Sequence, residues 1–184
     1  MSEDGRTIER ALINGAQPAS AIQVQAALDE LGIIHSSISH APMRTVADSL
    51  ALRDGVPGGY SKNLFLRNRK GKMLMVTLLE HRTINLKLFG ESLGFGKLSF
   101  ASPERLMHYL GVIPGAVTPL AILNDVTRSV KLVLDKQLLE MDPLHFHPCD
   151  NRMTTTLSAE DLLRYINRHH GEPEIVDFDS LMPI

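Results

Sequence analysis

Apolar positions change period several times along the chain, and each change marks an element. Ser20 with Gln23 forms a capping box, Leu28 and Leu31 continue at helical spacing, and Gly32 is a suitable stop. Residues 33–40 predict a strand. Thr45 with Asp48 predicts a second capped helix, running to about Arg53. Gly55, Pro57, Gly58 and Gly59 then predict a loop. Residues 63–67 and 73–78 are apolar runs of strand length, joined by Asn68-Arg69-Lys70-Gly71-Lys72, which has hairpin composition. Residues 86–93 predict a short helix closed by Gly94, and residues 97–100 a strand. Ser102-Pro103 opens a helix that Gly111 stops. Pro114, Gly115 and Pro119 make residues 113–119 a loop. Further strands are predicted at residues 121–123, 130–134, 144–147 and 153–157. Ser158 with Asp161 caps a last helix that reaches about His169.

Helices and strands are mixed without strict βαβ alternation. The expected class is α+β, a mixed β-sheet core with surrounding helices, and not a doubly wound fold. Residues 1–19, broken by Gly15 and Pro18, predict a mobile lead. Residues 20–170 form the domain, and residues 171–184 a loose tail.

Composition narrows the function. A chain of 184 residues, 43% hydrophobic and 22% charged, suits one folded domain. Its apolar runs are strand-sized, and its first ten residues are polar, so neither a membrane span nor an export signal is expected. The single cysteine, Cys149, cannot form an internal disulfide, which makes a cytoplasmic location the expectation. A net charge of −2 argues against coating nucleic acid through bulk charge. A local exception is Lys62, Arg67, Arg69, Lys70 and Lys72, a basic cluster with no acid inside it. Its plain alternative is a solvated hairpin.

No phosphate-binding glycine motif occurs, since Gly94-Phe95-Gly96 lacks the third glycine. His145 and His147 share one face of a strand, but two ligands fall short of the three protein ligands typical of catalytic zinc. No metal and no cofactor are therefore expected. His169 and His170 suit a helix C-terminus. Cys149 lies beside Asp150, whose charge disfavours a thiolate. Three segments remain unusual. Lys62 and Asn63 stand at the mouth of an apolar strand. Residues 115–119 form a tight loop whose amides are able to face a ligand. Residues 146–151 cluster polar groups between strands.

These residues carry a resemblance. It rests on Tyr60-Ser61-Lys62-Asn63-Leu64-Phe65-Leu66, Leu98-Ser99-Phe100-Ala101-Ser102 with Arg105-Leu106, and the loop from Gly111 to Pro119. Val133-Leu134-Asp135, Phe146-His147-Pro148 and Asp150-Asn151 complete it. Across residues 20–167 the chain resembles the YbaK/ProX family of stand-alone aminoacyl-tRNA editing proteins, related to the insertion domain of bacterial prolyl-tRNA synthetase. Its Lys-Asn-Leu-Phe-Leu and Phe-His-Pro forms resemble the alanyl-tRNA(Pro) deacylase branch more than the cysteinyl one. The resemblance implies a mixed-sheet α+β fold, a cleft for the 3′-terminal adenosine and hydrolysis of an aminoacyl ester. It implies that Lys62 is the functional lysine, that Gly115 and Pro119 frame the pocket, and that His147 and Asn151 line it. Asn63 and Thr45 are further expected substrate contacts. One departure is Arg152-Met153, which stands where the family commonly has Thr-Ala.

The expected mechanism places a water on the ester and stabilises the oxyanion through the N–H groups of Gly115 and Ala116. Lys62 would hold phosphate or ribose. No general base is evident in the sequence, and the resemblance implies that the tRNA's own ribose hydroxyl assists. Leu50 is expected in the wall that excludes larger side chains. Arg67, Arg69, Lys70 and Lys72 are expected to bind tRNA. The expected partner is mischarged tRNA, of the proline-accepting kind, with prolyl-tRNA synthetase or an elongation factor as further partners. Competing readings are a non-catalytic tRNA- or synthetase-binding module, a deacylase for cysteine or serine, and a metal-dependent hydrolase using His145 and His147.

Overall fold

β3 (Met73–Leu79) is buried at every position, which explains its uninterrupted apolar run. Met73, Met75 and Leu79 enter the larger core, and Leu74, Val76 and Leu78 enter a second core on the opposite face. The computed structural model describes residues 11–43 and 55–181. The helix expected from Thr45 to Arg53, with Leu50, lies outside these.

β2 (Gly59–Asn68) pairs antiparallel with β3, from Ser61 opposite Leu79 to Arg67 opposite Met73. The turn between them closes on Asn68, whose Oδ1 accepts from Lys70 N and Lys72 N, both at 3.0 Å. β5 (Val130–Asp135) runs parallel to β3 on its far side. β2's other edge is shared. β6 (Leu144–Phe146) pairs parallel with Gly59 and Tyr60, and β4 (Leu98–Phe100) pairs antiparallel with Leu66, Arg67 and Asn68. Ala101 N donates to Phe65 O beyond the β4 ladder (3.0 Å). Among the described residues no strand pairs with this edge at positions 61–64. β7 (Met153–Leu157) lies antiparallel to β6, and β1 (Ser36–Ser39) antiparallel to β7.

Helices cover both faces. α1 (Ala21–Glu30), α3 (Pro103–Leu110) and α5 (Ala159–His169) bury Leu28, Leu110, Leu162 and Tyr165 in the larger core. Side chains of this size each contribute about 1.5–3 kcal/mol on burial. Tyr165 keeps its hydroxyl satisfied by donating to Leu120 O at 2.8 Å. α2 (Leu86–Ser92) covers the second core with Phe89. α4 (Lys136–Leu139) is a single turn after β5. The expected caps form at Ser20, Ser102 and Ser158. Gly111 closes α3 at φ 67, where a Cβ would meet Pro18 Cβ at 2.6 Å.

Three expectations are corrected. Residues 121–123 belong to a 3₁₀ helix, Pro119–Asn124, and not to a strand. Pro119 presets its first turn, Thr118 Oγ1 accepts from Leu120 N (3.2 Å), and burial on all sides removes the periodic signal. The tail is not loose. β8 (Glu174–Val176) extends the sheet parallel to β5, Lys131 pairs with Glu174 (2.5 Å), and Phe178 fills the second core. The lead is also docked over residues 11–19. Leu12 is buried, Ile13 N donates to His108 O (2.8 Å), and Ala19 N donates to Asn124 Oδ1 (2.9 Å).

Candidate active site

The unpaired edge of β2 opens into a cavity of about 150 Å³, lined by His40, Met43, Tyr60, Asn63, His147 and Thr154 among others. Pockets for drug-sized ligands run to about 300–1,000 Å³, so this smaller space is of a size for an aminoacyl group. β2's alternation sends Asn63 toward Thr77, whose hydroxyl donates to Asn63 Oδ1 at 2.8 Å. That bond satisfies a threonine that is otherwise fully buried.

Three histidines meet here, and their hydrogen bonds assign their protons. A carbonyl only accepts, so a ring nitrogen bonded to one carries the hydrogen. His145 Nε2 donates to Pro57 O (3.0 Å) while its Nδ1 accepts from Thr156 (2.9 Å). Its ring also stacks on Tyr60, with centroids 4.7 Å apart. His40 Nδ1 donates to Ala41 O (2.8 Å), and its Nε2 accepts from Thr154 (2.9 Å). Both rings are saturated. His147 Nδ1 donates to Met153 O (2.8 Å), and its Nε2 has no partner among the described residues. Burial holds the His147 ring below the ordinary imidazole value. The Met153 carbonyl opposes that shift, and the nearby His40 adds to it. The ring is therefore neutral near pH 7, with a bare acceptor nitrogen. No group of three metal-ligating side chains occurs among the described residues.

Lys62 lies on the same face of β2 as Tyr60, opposite Asn63. Its Nζ donates to the main-chain oxygen of Arg82. Burial lowers its ammonium from the ordinary lysine value, and Glu80, which lines the cavity, opposes the shift. Arg82 is itself fixed, with Nε 2.6 Å from Asp135 Oδ2 and Nη1 2.6 Å from Asp179 Oδ1.

The other expected site residues divide between the cavity and its surroundings. Asn63 and His147 line the cavity. Asn151 and Ala116 line an adjacent hollow together with Cys149 and Asp150. Asn151 joins the two spaces, because its Nδ2 donates to Met43 O at 2.9 Å. Ala116 N–H is already given to Ile113 O (3.0 Å), and Gly115 is exposed and lines neither space, so the structure does not assemble the expected oxyanion pair at the cavity. Pro119 is buried at the start of the 3₁₀ helix. Cys149 is pushed up to about 12 by burial, which suits an inert thiol. Arg69, Lys70 and Lys72 are exposed on the β2–β3 turn, with Arg67 half-buried before it, at the end of β2 remote from the cavity. Thr45 and Leu50 lie outside the described residues. Sequence reasoning passed over His40, Glu80 and Arg82. His40 was visible only as the end of a predicted strand, and no local pattern marks the other two.

Known proteins share this sequence pattern and fold. Residues 40–165 match the aminoacyl-tRNA editing domain. The prolyl-tRNA editing protein ProX of Acetoanaerobium sticklandii is 40% identical over 144 residues, spanning 78% of this chain and 88% of that protein. Prolyl-tRNA synthetase associated domain-containing protein 1 of Bos taurus is 35% identical over 167 residues, spanning 86% and 97%. A solved candidate trans-editing enzyme for prolyl-tRNA synthetase superposes with a TM-score of 0.68 at 21% identity, spanning 88% and 98%, and that likeness concerns the fold alone. The mixed sheet with its helices is the fold of that neighbour, no described helix is long and apolar enough to cross a membrane, and the chain belongs to the aminoacyl-tRNA editing domain family, of the YbaK/ProX type.

Proposed function

We propose that this protein is a trans-editing deacylase that hydrolyses the ester of mischarged tRNA, with alanyl-tRNA(Pro) as its substrate. One observation carries the chemistry: His147 Nε2 is the single cavity imidazole nitrogen left without a partner among the described residues. A neutral ring with a bare acceptor can take a proton from water as the water oxygen bonds to the ester carbonyl carbon. The proton then returns to the leaving ribose oxygen as the ester C–O bond breaks, which frees the amino acid and the tRNA 3′ end. The tRNA's own ribose hydroxyl can orient that water. The Lys62 ammonium, in the field of Glu80 of the cavity lining, is the group suited to stabilise charge and to hold the ribose or terminal phosphate. No metal enters this scheme.

The substrate reading draws on the editing family, on the name of the ProX relative and on the motif forms closest to the alanyl branch. The small cavity favours a small side chain. A packed wall excludes larger groups more strongly than the ~1–3 kcal/mol that one missing methylene costs. The test is a deacylation panel of alanyl-, cysteinyl-, seryl- and prolyl-tRNA(Pro). Fastest turnover of the alanyl ester is expected. Preference for the cysteinyl or seryl ester would reassign the substrate, and no hydrolysis of any would leave a non-catalytic binding module.

A further inference from the structure

A second built feature lies at the opposite end of β2. The β2–β3 turn, the turn from Asn124 to Ser129 and the chain after α5 enclose an open groove. Lys70, Lys72, Arg128, Lys131 and His170 line it, with Glu172 and Glu174. Two of these side chains already have acidic partners. Lys131 Nζ is 2.5 Å from Glu174 and 5.5 Å from the Phe95 ring centre, and His170 Nε2 lies 3.3 Å from Asp125. Lys70, Lys72 and Arg128 have no acidic partner among the described residues.

Arg128 is held in an unusual way. Its φ of 51 lies in the left-handed region, uncommon for a residue with a Cβ. Asp125 enforces that conformation. Its Oδ1 accepts from Ser129 N (3.0 Å), its Oδ2 from Val130 N (2.7 Å), and its main-chain oxygen from Arg128 N (2.9 Å). Across the groove the chain turns at Gly171, at φ 106, and Arg128 Nη1 lies in ordinary contact range, 4.0 Å from the place of a Cβ there. A strained backbone that keeps an unpaired guanidinium in a groove is the kind of cost that persists where it serves a function.

We propose that this groove holds the phosphate backbone of the tRNA acceptor stem, with Arg128 as its central contact. The inference rests on the deacylase reading. Guanidinium and ammonium groups without acidic partners suit phosphate oxygens, and such contacts position RNA without reading its sequence. From Tyr60 at the cavity to Asn68 at the turn, β2 spans about 26 Å at ~3.3 Å per residue. A strand of duplex DNA advances about 3.4 Å per nucleotide, and A-form RNA advances less, so this span covers at least about eight nucleotides. The groove therefore meets phosphates roughly eight or more nucleotides from the 3′ end, within the duplex.

Arg128→Gly tests this, because glycine adopts the same φ without strain. The probe is an uncharged acceptor-stem minihelix, bound at salt from about 50 to 200 mM. The expected result is affinity about tenfold weaker at low salt and a log–log salt slope shallower by about 0.7–0.9. The melting temperature is expected at or above that of the unsubstituted protein. Lys70→Ala with Lys72→Ala should flatten the slope further. With aminoacyl esters, the KM of the charged minihelix should rise relative to that of a charged CCA trinucleotide, which is too short to reach the groove. Unchanged affinity and slope would overturn the proposal, as would equal losses on minihelix and trinucleotide. Loss of synthetase binding with RNA binding intact would make the groove a protein-docking site and overturn it too. If no charged tRNA is hydrolysed while minihelix binding responds as expected, the deacylase reading fails and the groove stands.

Discussion

Lys62 Nζ donates to the main-chain oxygen of Arg82, and Arg82 is clamped by carboxylates from two distant segments, Asp135 and Asp179. The ammonium that the family resemblance makes functional is thus set by the end of β5 and by the C-terminal chain. Phe178 also lies under the guanidinium, its ring centre 6.0 Å from Arg82 Cζ.

Lys62→Ala is expected to keep the fold and lose most deacylation. It removes one partly exposed hydrogen bond, worth about 1 kcal/mol, and the side chain best suited to hold ribose or phosphate. A drop of at least about a hundredfold in kcat/KM corresponds to ~2.7 kcal/mol of lost transition-state binding. Single-turnover hydrolysis and thermal melting check it together. Full activity in the folded variant would remove Lys62 from the site.

The His147 assignment predicts a pH dependence. The neutral ring is the active form, and burial holds its pKa below the ordinary imidazole range. Activity should rise with pH, with its midpoint below the usual ~6.5, and then level off. The same depression acts on stability. The unfolded chain binds more protons between the two pKa values, so stability falls as pH drops through the unfolded value and on to the folded one. His147→Gln should abolish the acid limb along with most of the rate. An acid limb that persists in that variant would point to another titrating group.

The two carboxylates on Arg82 should differ in weight. Asp135 is fully buried, so Asp135→Asn leaves the buried Arg82 guanidinium with only its solvent-facing partner Asp179 and is expected to cost about 3 kcal/mol. The Asp179 side chain is 56% exposed, and solvent screens its pair with Arg82, so Asp179→Asn is expected to cost clearly less than Asp135→Asn. Urea unfolding of both variants decides this. Equal costs would mean that the solvent-facing pair supports the clamp as much as the buried one.

Deacylation is expected to survive exhaustive chelation, and Cys149→Ser to retain activity. His40 and His145 have both ring nitrogens in hydrogen bonds, which leaves His147 Nε2 as one open imidazole nitrogen where catalytic zinc typically takes three protein ligands, and the thiol is pushed up to about 12 by burial. Loss of turnover with EDTA, restored by zinc, would require a metal step.

Elements with local causes were legible before the structure. The caps at Ser20, Ser102 and Ser158 and the turn at Asn68–Lys72 depend on residues within five positions of one another, and each formed as expected. β8 was not legible because Glu174–Val176 has two exposed positions and its partner Val133 is far away in sequence. The 3₁₀ helix was misread because a segment buried all round has neither helical nor strand period. In the site, Lys62, Asn63 and His147 stood out as polar residues beside apolar strands. The bare Nε2 of His147 and the clamp on Arg82 depend on contacts across the chain, such as Asp135 with Arg82, which no local pattern encodes.

The interrupted edge of β2 has a consequence for how the protein avoids its own kind. Exposed strand edges invite a foreign strand to add and begin aggregation. Here β6 and β4 occupy both ends of the edge, which among the described residues leaves 61–64 without a partner strand. A stretch that short gives an intruding strand too few ladder bonds to hold. Main-chain groups on alternate residues still face the opening, because only the others bond to β3. A small polar ligand can use them, and no side-chain substitution takes them away.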